Sequence, residues 1–462
     1  MHYHVLKTAV FAAIVFSVLA SCNTTSGSAI VLPIETYINQ ASEGVQYNYT
    51  FKIKDSAIDV RWSIENAPSW LTIGAVTGEL KGTPPIGFTK TETIEFTVSA
   101  KSVNNVKNRG SVNVNLTILN TANPEDTGTA TNDYFSNSVV SCDVDNDGDL
   151  DLIIADYMAA NRVWLNDGLA NFTDSGQALG NSATNRLAAG DLNADGFVDF
   201  VEVCDQQQPT NVWFNDKTGK FTNIILPGIT NSVNVLLADV EADGDLDIIE
   251  SNDGPNRIFL NDGSGNFSDS GQRLGMQKSD SVAAGDIDSD GDIDIVFGNG
   301  VNAPNTVWLN DGTGIFADTG QRLGNRITGG SALADIDGDG DLDYLTGSFD
   351  GANLVWINDG TGVFYDSGQR LGNSATASIN IIDIEGDGDI DIVTANYLDQ
   401  PNNIWLNDGS GKFSNAGKPM GIESSTFVAF GDYDNDDDFD IAFSNGNMYT
   451  NTPQTVKIYE NR

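Results

Sequence analysis

Through most of the chain, short apolar runs recur in one order with polar turns between them. A run such as SVAAGD (281–286) enters an acidic loop, and a second, DIVFGN (294–299), leaves it. A third, TVWLNDG (306–312), leads into a GxGxF turn, and a fourth carries DSGQRLG. This pattern predicts four short strands per unit of about 48 residues. The acidic loops start at Asp143, Asp191, Asp239, Asp286, Asp335, Asp383 and Asp432, at spacings of 48, 48, 47, 49, 48 and 49 residues. A fixed period of this length with four strands per unit predicts propeller blades. Residues 30–120 differ: YNYTFKI, VRWSI, TIEFTVSA and SVNVNLTIL alternate apolar and polar positions between turn clusters, which predicts a β-sandwich. The expected fold class is all-β, a sandwich over 30–120 followed by seven blades over 122–462.

The offset between units also predicts how the ring closes. The Asp of D-[ST]-G precedes the next acidic loop by 17 residues at Asp174, Asp269, Asp318 and Asp366, and Asp126 stands the same 17 residues before Asp143. The last unit, meanwhile, reaches only its third strand in TVKIYENR. Residues 123–130 are therefore expected to supply the outer strand of the seventh blade, leaving no blade edge incomplete.

Composition narrows the chemistry. A net charge of −42 over 462 residues excludes nucleic acid as a partner and favours bound cations. The 40 % apolar content and 48 glycines are those of a folded, turn-rich chain. The only histidines are His2 and His4. The apolar run TAVFAAIVFSVLA behind Lys7 reads as the core of a signal peptide, and LASC (Leu19–Cys22) at its end resembles the bacterial lipobox. That resemblance implies cleavage after residue 21, lipid modification of Cys22, and a tether over 22–29. The mature chain then has no histidine, which excludes Ser-His and Cys-His catalysis and His-ligated zinc or iron. Cys142 and Cys204 fall in different units and are expected to be buried free thiols.

Two resemblances sharpen the fold. APSWLTIGAVTGELKGTPPIG (67–87) resembles the Ig- and cadherin-like domains of bacterial surface proteins, which implies a spacer or adhesive module, with Trp62 and Trp70 as core residues. The seven units resemble FG-GAP/VCBS repeats, the blades of integrin-α-type propellers. In that family the D-x-D-x-D-G-x-x-D loop joins the first two strands of a blade and binds calcium, and ligands commonly use the opposite face.

The residues themselves suit calcium, a hard cation taking six to eight oxygens. Carboxylates at places 1, 3, 5 and 9 converge, place 7 offers its main-chain carbonyl, and glycine at place 6 permits the fold-back. The candidate ligands are Asp143, Asp145, Asp147 and Asp151; Asp191, Asn193, Asp195 and Asp199; Asp239, Glu241, Asp243 and Asp247; Asp286, Asp288, Asp290 and Asp294; Asp335, Asp337, Asp339 and Asp343; Asp383, Glu385, Asp387 and Asp391; and Asp432, Asp434, Asp436 and Asp440. Asn193 weakens the second site by one charge, and Asp437 replaces the glycine of the seventh. The second loop also satisfies the EF-hand pattern through Glu202, but only Glu250 repeats that match, so it is read as accidental. Trp164, Trp213, Phe259, Trp308, Trp356 and Trp405 recur at one place in the third strand and are expected in the core, and the NDG tripeptides after them are read as tight turns.

The expected function is that of a monomeric, calcium-stabilised binding or adhesion protein. A lipid anchor would hold it to the bacterial cell envelope, at the outer membrane or cell surface, and it would meet a glycan or protein ligand through the loops between second and third strands. Tyr157, Phe349 and Tyr397 are the aromatic candidates there. The alternatives are a polysaccharide lyase or two-carboxylate glycosidase and a structural partner in an envelope complex. No catalytic residues are assigned.

Overall fold

The computed structural model describes residues 34–35, 41–42, 47–53, 59–83, 92–103, 109–119, 125–126, 134–301, 303–447 and 452–461. The signal-peptide, lipobox and tether readings lie outside these residues. The chain forms two compact units, dividing between Thr121 and Ala122.

In the first unit, alternation sets the faces. Along Glu92–Ser102 the side chains of Phe96, Val98 and Ala100 are buried while Glu95 and Lys101 are exposed. This strand pairs with Val60–Glu65 and Arg109–Leu119, and Ala41–Ser42 joins the latter in parallel. A second sheet contains Tyr47–Thr50, Glu79–Gly82 and Leu71–Ile73. Tyr47, Leu71 and Leu80 from one sheet pack with Trp62, Phe96, Val98, Val114 and Leu116 from the other, and Trp70 lies against this core. Gly78 of the TG-x-L motif sits at φ 69°, where any Cβ would fall 2.8 Å from the Trp62 ring.

In the second unit blades 3–6 are antiparallel four-stranded sheets in chain order, blades 1 and 2 are joined in one seven-stranded sheet through the long strands Asp151–Leu165 and Leu179–Gly190, and blade 7 lies in a five-stranded sheet. Blade 4 is typical: Ser279–Gly285, Asp294–Asn299, Asn305–Asn310 and Phe316–Leu323. Its second strand is buried throughout, as are those of blades 2, 3, 5 and 6, because both blade faces pack on neighbours. The first strands of successive blades contact one another around the axis, and Ser425–Gly431 of blade 7 returns to Ser136–Cys142 of blade 1. Blade 7 is completed as the 17-residue offset predicts: Glu125 pairs with Glu460 and Asp126 with Tyr459, antiparallel. The third-strand aromatics are core, with Trp164, Trp213, Phe259, Trp308 and Trp356 all buried and Trp405 packed alongside. Cys142 and Cys204 are free and buried.

The asparagine of NDG, whose place is taken by Asn215 in blade 2 and Asn461 in blade 7, does more than make a turn. In every blade its Nδ2 donates to the main-chain carbonyl at place 2 of the preceding blade's acidic loop, at 2.7–3.2 Å: Asn166 to Tyr433, Asn215 to Val144, Asn261 to Leu192, Asn310 to Val240, Asn358 to Ile287, Asn407 to Ile336 and Asn461 to Ile384. These seven struts run once around the ring. A second set links outer edges, where Gln177, Gln272, Gln321 and Gln369 each donate to a GxGxF carbonyl of the next blade and accept the N–H of its Phe. Asn310→Ala strands a buried carbonyl and is expected to cost about 1–3 kcal/mol, read by urea unfolding; an unchanged midpoint would show the strut to be idle.

Candidate metal centres

Each acidic loop is shaped by its own carboxylates. In blades 1–4 and 7 the first aspartate accepts main-chain N–H groups from places 5 and 6, as Asp147 and Gly148 donate to Asp143 and Asp290 and Gly291 to Asp286; in blade 5 Asp335 accepts from places 4 and 6, Gly338 and Gly340. Asp191 and Asp239 are bonded in the same way. Glycine at place 6 takes φ of 86–100° in the first six loops. Asp437 takes φ 72° in the seventh and still donates to Asp432 at 3.1 Å, so the fold-back survives the loss of glycine. Place 4 is also left-handed, at Asn146, Ala194, Ala242, Ser289 and Asn435 as well as at Gly338 and Gly386.

Each oxygen of the ninth aspartate accepts one main-chain N–H and keeps a second lone pair. Asp294 Oδ2 accepts Ile287 N–H at 3.0 Å and Oδ1 accepts Asn310 N–H at 2.8 Å. The same pair of bonds recurs at Asp151, Asp199, Asp247, Asp343, Asp391 and Asp440. It ties the loop to the third strand and is essentially buried in all seven blades. Burial pushes its carboxyl up, to about 6 in Asp151, Asp199, Asp247 and Asp294 and about 7 in Asp343 and Asp440.

Among the described residues, four loops bring three carboxylates together with oxygens within 4.8 Å of one another: Asp143, Asp145 and Asp151; Asp286, Asp288 and Asp290; Asp335, Asp337 and Asp339; Asp432, Asp434 and Asp440. In these same four loops the place-3 aspartate carries a buried oxygen, Oδ1 of Asp145, Asp288, Asp337 and Asp434, with no hydrogen-bond partner. Burial, then the neighbouring carboxylates, raise the pKa of all four. A buried, unpaired carboxylate oxygen among other carboxylates is costly unless a cation or proton answers it. These oxygen-only sets fit a hard divalent cation.

The second loop is partly neutralised from within. Lys217 stands where other blades have the NDG glycine, and its Nζ lies 3.5 Å from Asp195 Oδ2. With Asn193 contributing no charge, this loop offers a cation least. Glu202 is remote in role: on the second strand of blade 2, it is fully buried and accepts hydrogen bonds from Asn161, Asn211 and Thr184. Glu250 is likewise held by Arg257 and Thr210.

Strand order places the acidic loops at one end of the blades and the hairpins between second and third strands at the other. Of the aromatics expected at that other end, Tyr157 is half-buried, with Gln206 donating to its hydroxyl at 3.2 Å. Tyr397 is only 5 % exposed and packs against Phe349 at 5.8 Å between centroids, so it presents little face to a ligand. Sequence reasoning missed what does stand out there, namely Met158, Val301 and Leu398, which are 56, 68 and 45 % exposed. Met158 and Leu398 both take φ 61°.

Two solved structures agree with this architecture. A solved structure of BBS1N with ARL6DN, soaked with lead, is 10 % identical with TM-score 0.52, covering 74 % of this chain and 96 % of that one. The mercury-soaked form gives 10 % identity and TM-score 0.53, with coverages of 73 and 97 %. A lectin of Agrocybe aegerita that recognises non-reducing terminal N-acetylglucosamine is 20 % identical with TM-score 0.43, covering 78 % of this chain and 94 % of that one. The BBS1N similarities bear on the fold alone. No curated protein matches the sequence. A model described as "Putative Ig domain" matches residues 12–119. The FG-GAP-like repeat model matches residues 143–202, 191–250, 242–297, 286–346, 335–394 and 383–443. These matches span more than half of the chain, which belongs to the FG-GAP-like repeat family.

Proposed function

We propose that this chain is a calcium-stabilised binding protein, tethered to a bacterial envelope through Cys22, that meets a protein ligand with the propeller face opposite its acidic loops. The calcium reading is carried by the orphaned place-3 oxygens of four blades. The residues at places 1, 3, 5 and 9 would hold the ion, which supplies the positive charge these loops lack; the chain's own residues shape the loops and tie them to the third strands. The binding reading is supported by Met158, Val301 and Leu398, apolar and exposed at hairpins of three different blades. Left-handed backbone at non-glycine residues is tolerated where a loop is held in shape for a task, and flexible methionine suits protein contacts. Tyr157, flanked by Gln206 and Asp205, favours a glycan as the second reading.

The test is retention of the full chain on bacterial envelope fractions and on a glycan array. Measured against detergent-solubilised envelope proteins, so that the lipid anchor does not itself hold the chain, Met158→Asp with Val301→Asp and Leu398→Asp is expected to lose binding at an unchanged melting temperature; separately, Cys22→Ser is expected to leave the membrane fraction without detergent. Undiminished binding by the triple variant would contradict the assigned face. Release of reducing ends from a polysaccharide would replace the binding reading with an enzymatic one.

A further inference from the structure

Place 7 of the acidic loop separates blade 7 from the rest. Asp149, Asp245, Asp292, Asp341 and Asp389 stand at this place and lean over the glycine of their own blade's NDG turn, an oxygen within 2.4–2.7 Å of where its Cβ would be. They are half-buried. The second blade has Phe197 there. Asp438 of blade 7 is instead 6 % exposed, and neither of its oxygens has a hydrogen-bond partner. It stands between Asp436 and Asp440 in the loop, and burial, then the carboxylates of Asp436, Asp440 and Asp434, push its carboxyl up. With Asp434 Oδ1, blade 7 buries three orphaned carboxylate oxygens, against one each in the loops of blades 1, 4 and 5.

We propose that the blade 7 loop is the tightest cation site of the ring, and that Asp438 gives it a side-chain ligand the other six loops do not use. The proposal rests on the calcium reading and adds a residue and a ranking to it. Five carboxylates, Asp432, Asp434, Asp436, Asp438 and Asp440, then surround one ion, and ligand charge count is a principal determinant of calcium affinity in oxygen sites. The position matters for the whole ring. Asp440 accepts Asn461 N–H at 3.0 Å, and Asn461 follows the strand Lys457–Glu460 that pairs with Glu125–Asp126. A cation here braces the one blade assembled from distant parts of the chain. Tight binding also offsets the left-handed strain at Asp437.

Isothermal titration of the metal-stripped full chain with calcium tests this. The wild type is expected to show one site per chain at least about tenfold tighter than the remainder. Asp438→Asn is expected to lose that tight class and keep the others, while Asp292→Asn, at the same place in blade 4, titrates like the wild type. Metal-free Asp438→Asn is also expected to melt above the metal-free wild type, because an amide can donate to the surrounding carboxylates where Asp438 leaves two buried oxygens without a partner; this doubles as the check on folding. A tight class that survives in Asp438→Asn, equal weakening by both variants, or a lower metal-free melt overturns the proposal. Absence of any calcium heat from the wild type overturns the calcium reading itself, and this inference with it.

Discussion

Stripping calcium with excess EGTA at pH 8 is expected to lower the melting temperature by about 10–20 °C. A site held at a hundred times its dissociation constant adds about 2.7 kcal/mol, and at least four loops have the geometry to contribute. In a domain of this size each kcal/mol moves the melt by about one or two degrees. The loss should depend on pH in a defined direction. In the metal-free protein, burial raises the ninth-place carboxyls to about 6 or 7, above the usual aspartate range. The folded chain therefore binds more protons than the unfolded one. The stability this brings is complete below about pH 4 and lost as pH rises through 6 to 7. Metal-free protein should melt higher at pH 5 than at pH 8, and calcium, which favours the ionised form, should flatten or reverse that trend. A metal-free melt that rises with pH over this range would contradict the assignment.

The second large effect separates two aspartates of one loop. Asp294→Ala removes the acceptor for Ile287 N–H and Asn310 N–H, both buried, and is expected to cost about 3–5 kcal/mol with or without calcium. Asp288→Asn is expected to behave oppositely in the two conditions. With calcium it should melt below the wild type, because a ligand is weakened. In EGTA it should melt above the wild type, because a carboxylate with an unpaired oxygen has been neutralised. Thermal melts of both variants in both buffers give the answer. Two variants that shift alike in both buffers would make the loop a plain structural turn.

Much of this was legible because the repeat carries its own register. The period of 47–49 residues identified the blades, and the 17-residue offset at Asp126 located the strand that completes blade 7. The third-strand tryptophans and the two free thiols were legible as core because blades are buried on both faces. The asparagine struts were not. NDG is a sufficient local signal for a turn, and the strut partner lies about 70 residues away, as Asn310 and Val240 do. Asn461 was harder still, since no Asp-Gly follows it, yet it completes the seventh strut. The ninth aspartate read as one more ligand; its two main-chain partners emerge only when the third strand lies alongside. Left-handed place 4 was hidden because Ala194 and Ala242 do not advertise positive φ. Tyr397 looked like a surface aromatic from its loop context, but Phe349 of the neighbouring blade lies against it.

The central claim is that the acidic loops hold calcium, and the most direct measurement counts it. The full chain, equilibrated by dialysis against 1 mM calcium (about the level at which extracellular calcium modules fill) and analysed for metal by mass spectrometry, is predicted to carry four or more calcium ions per chain. One or none would contradict the account.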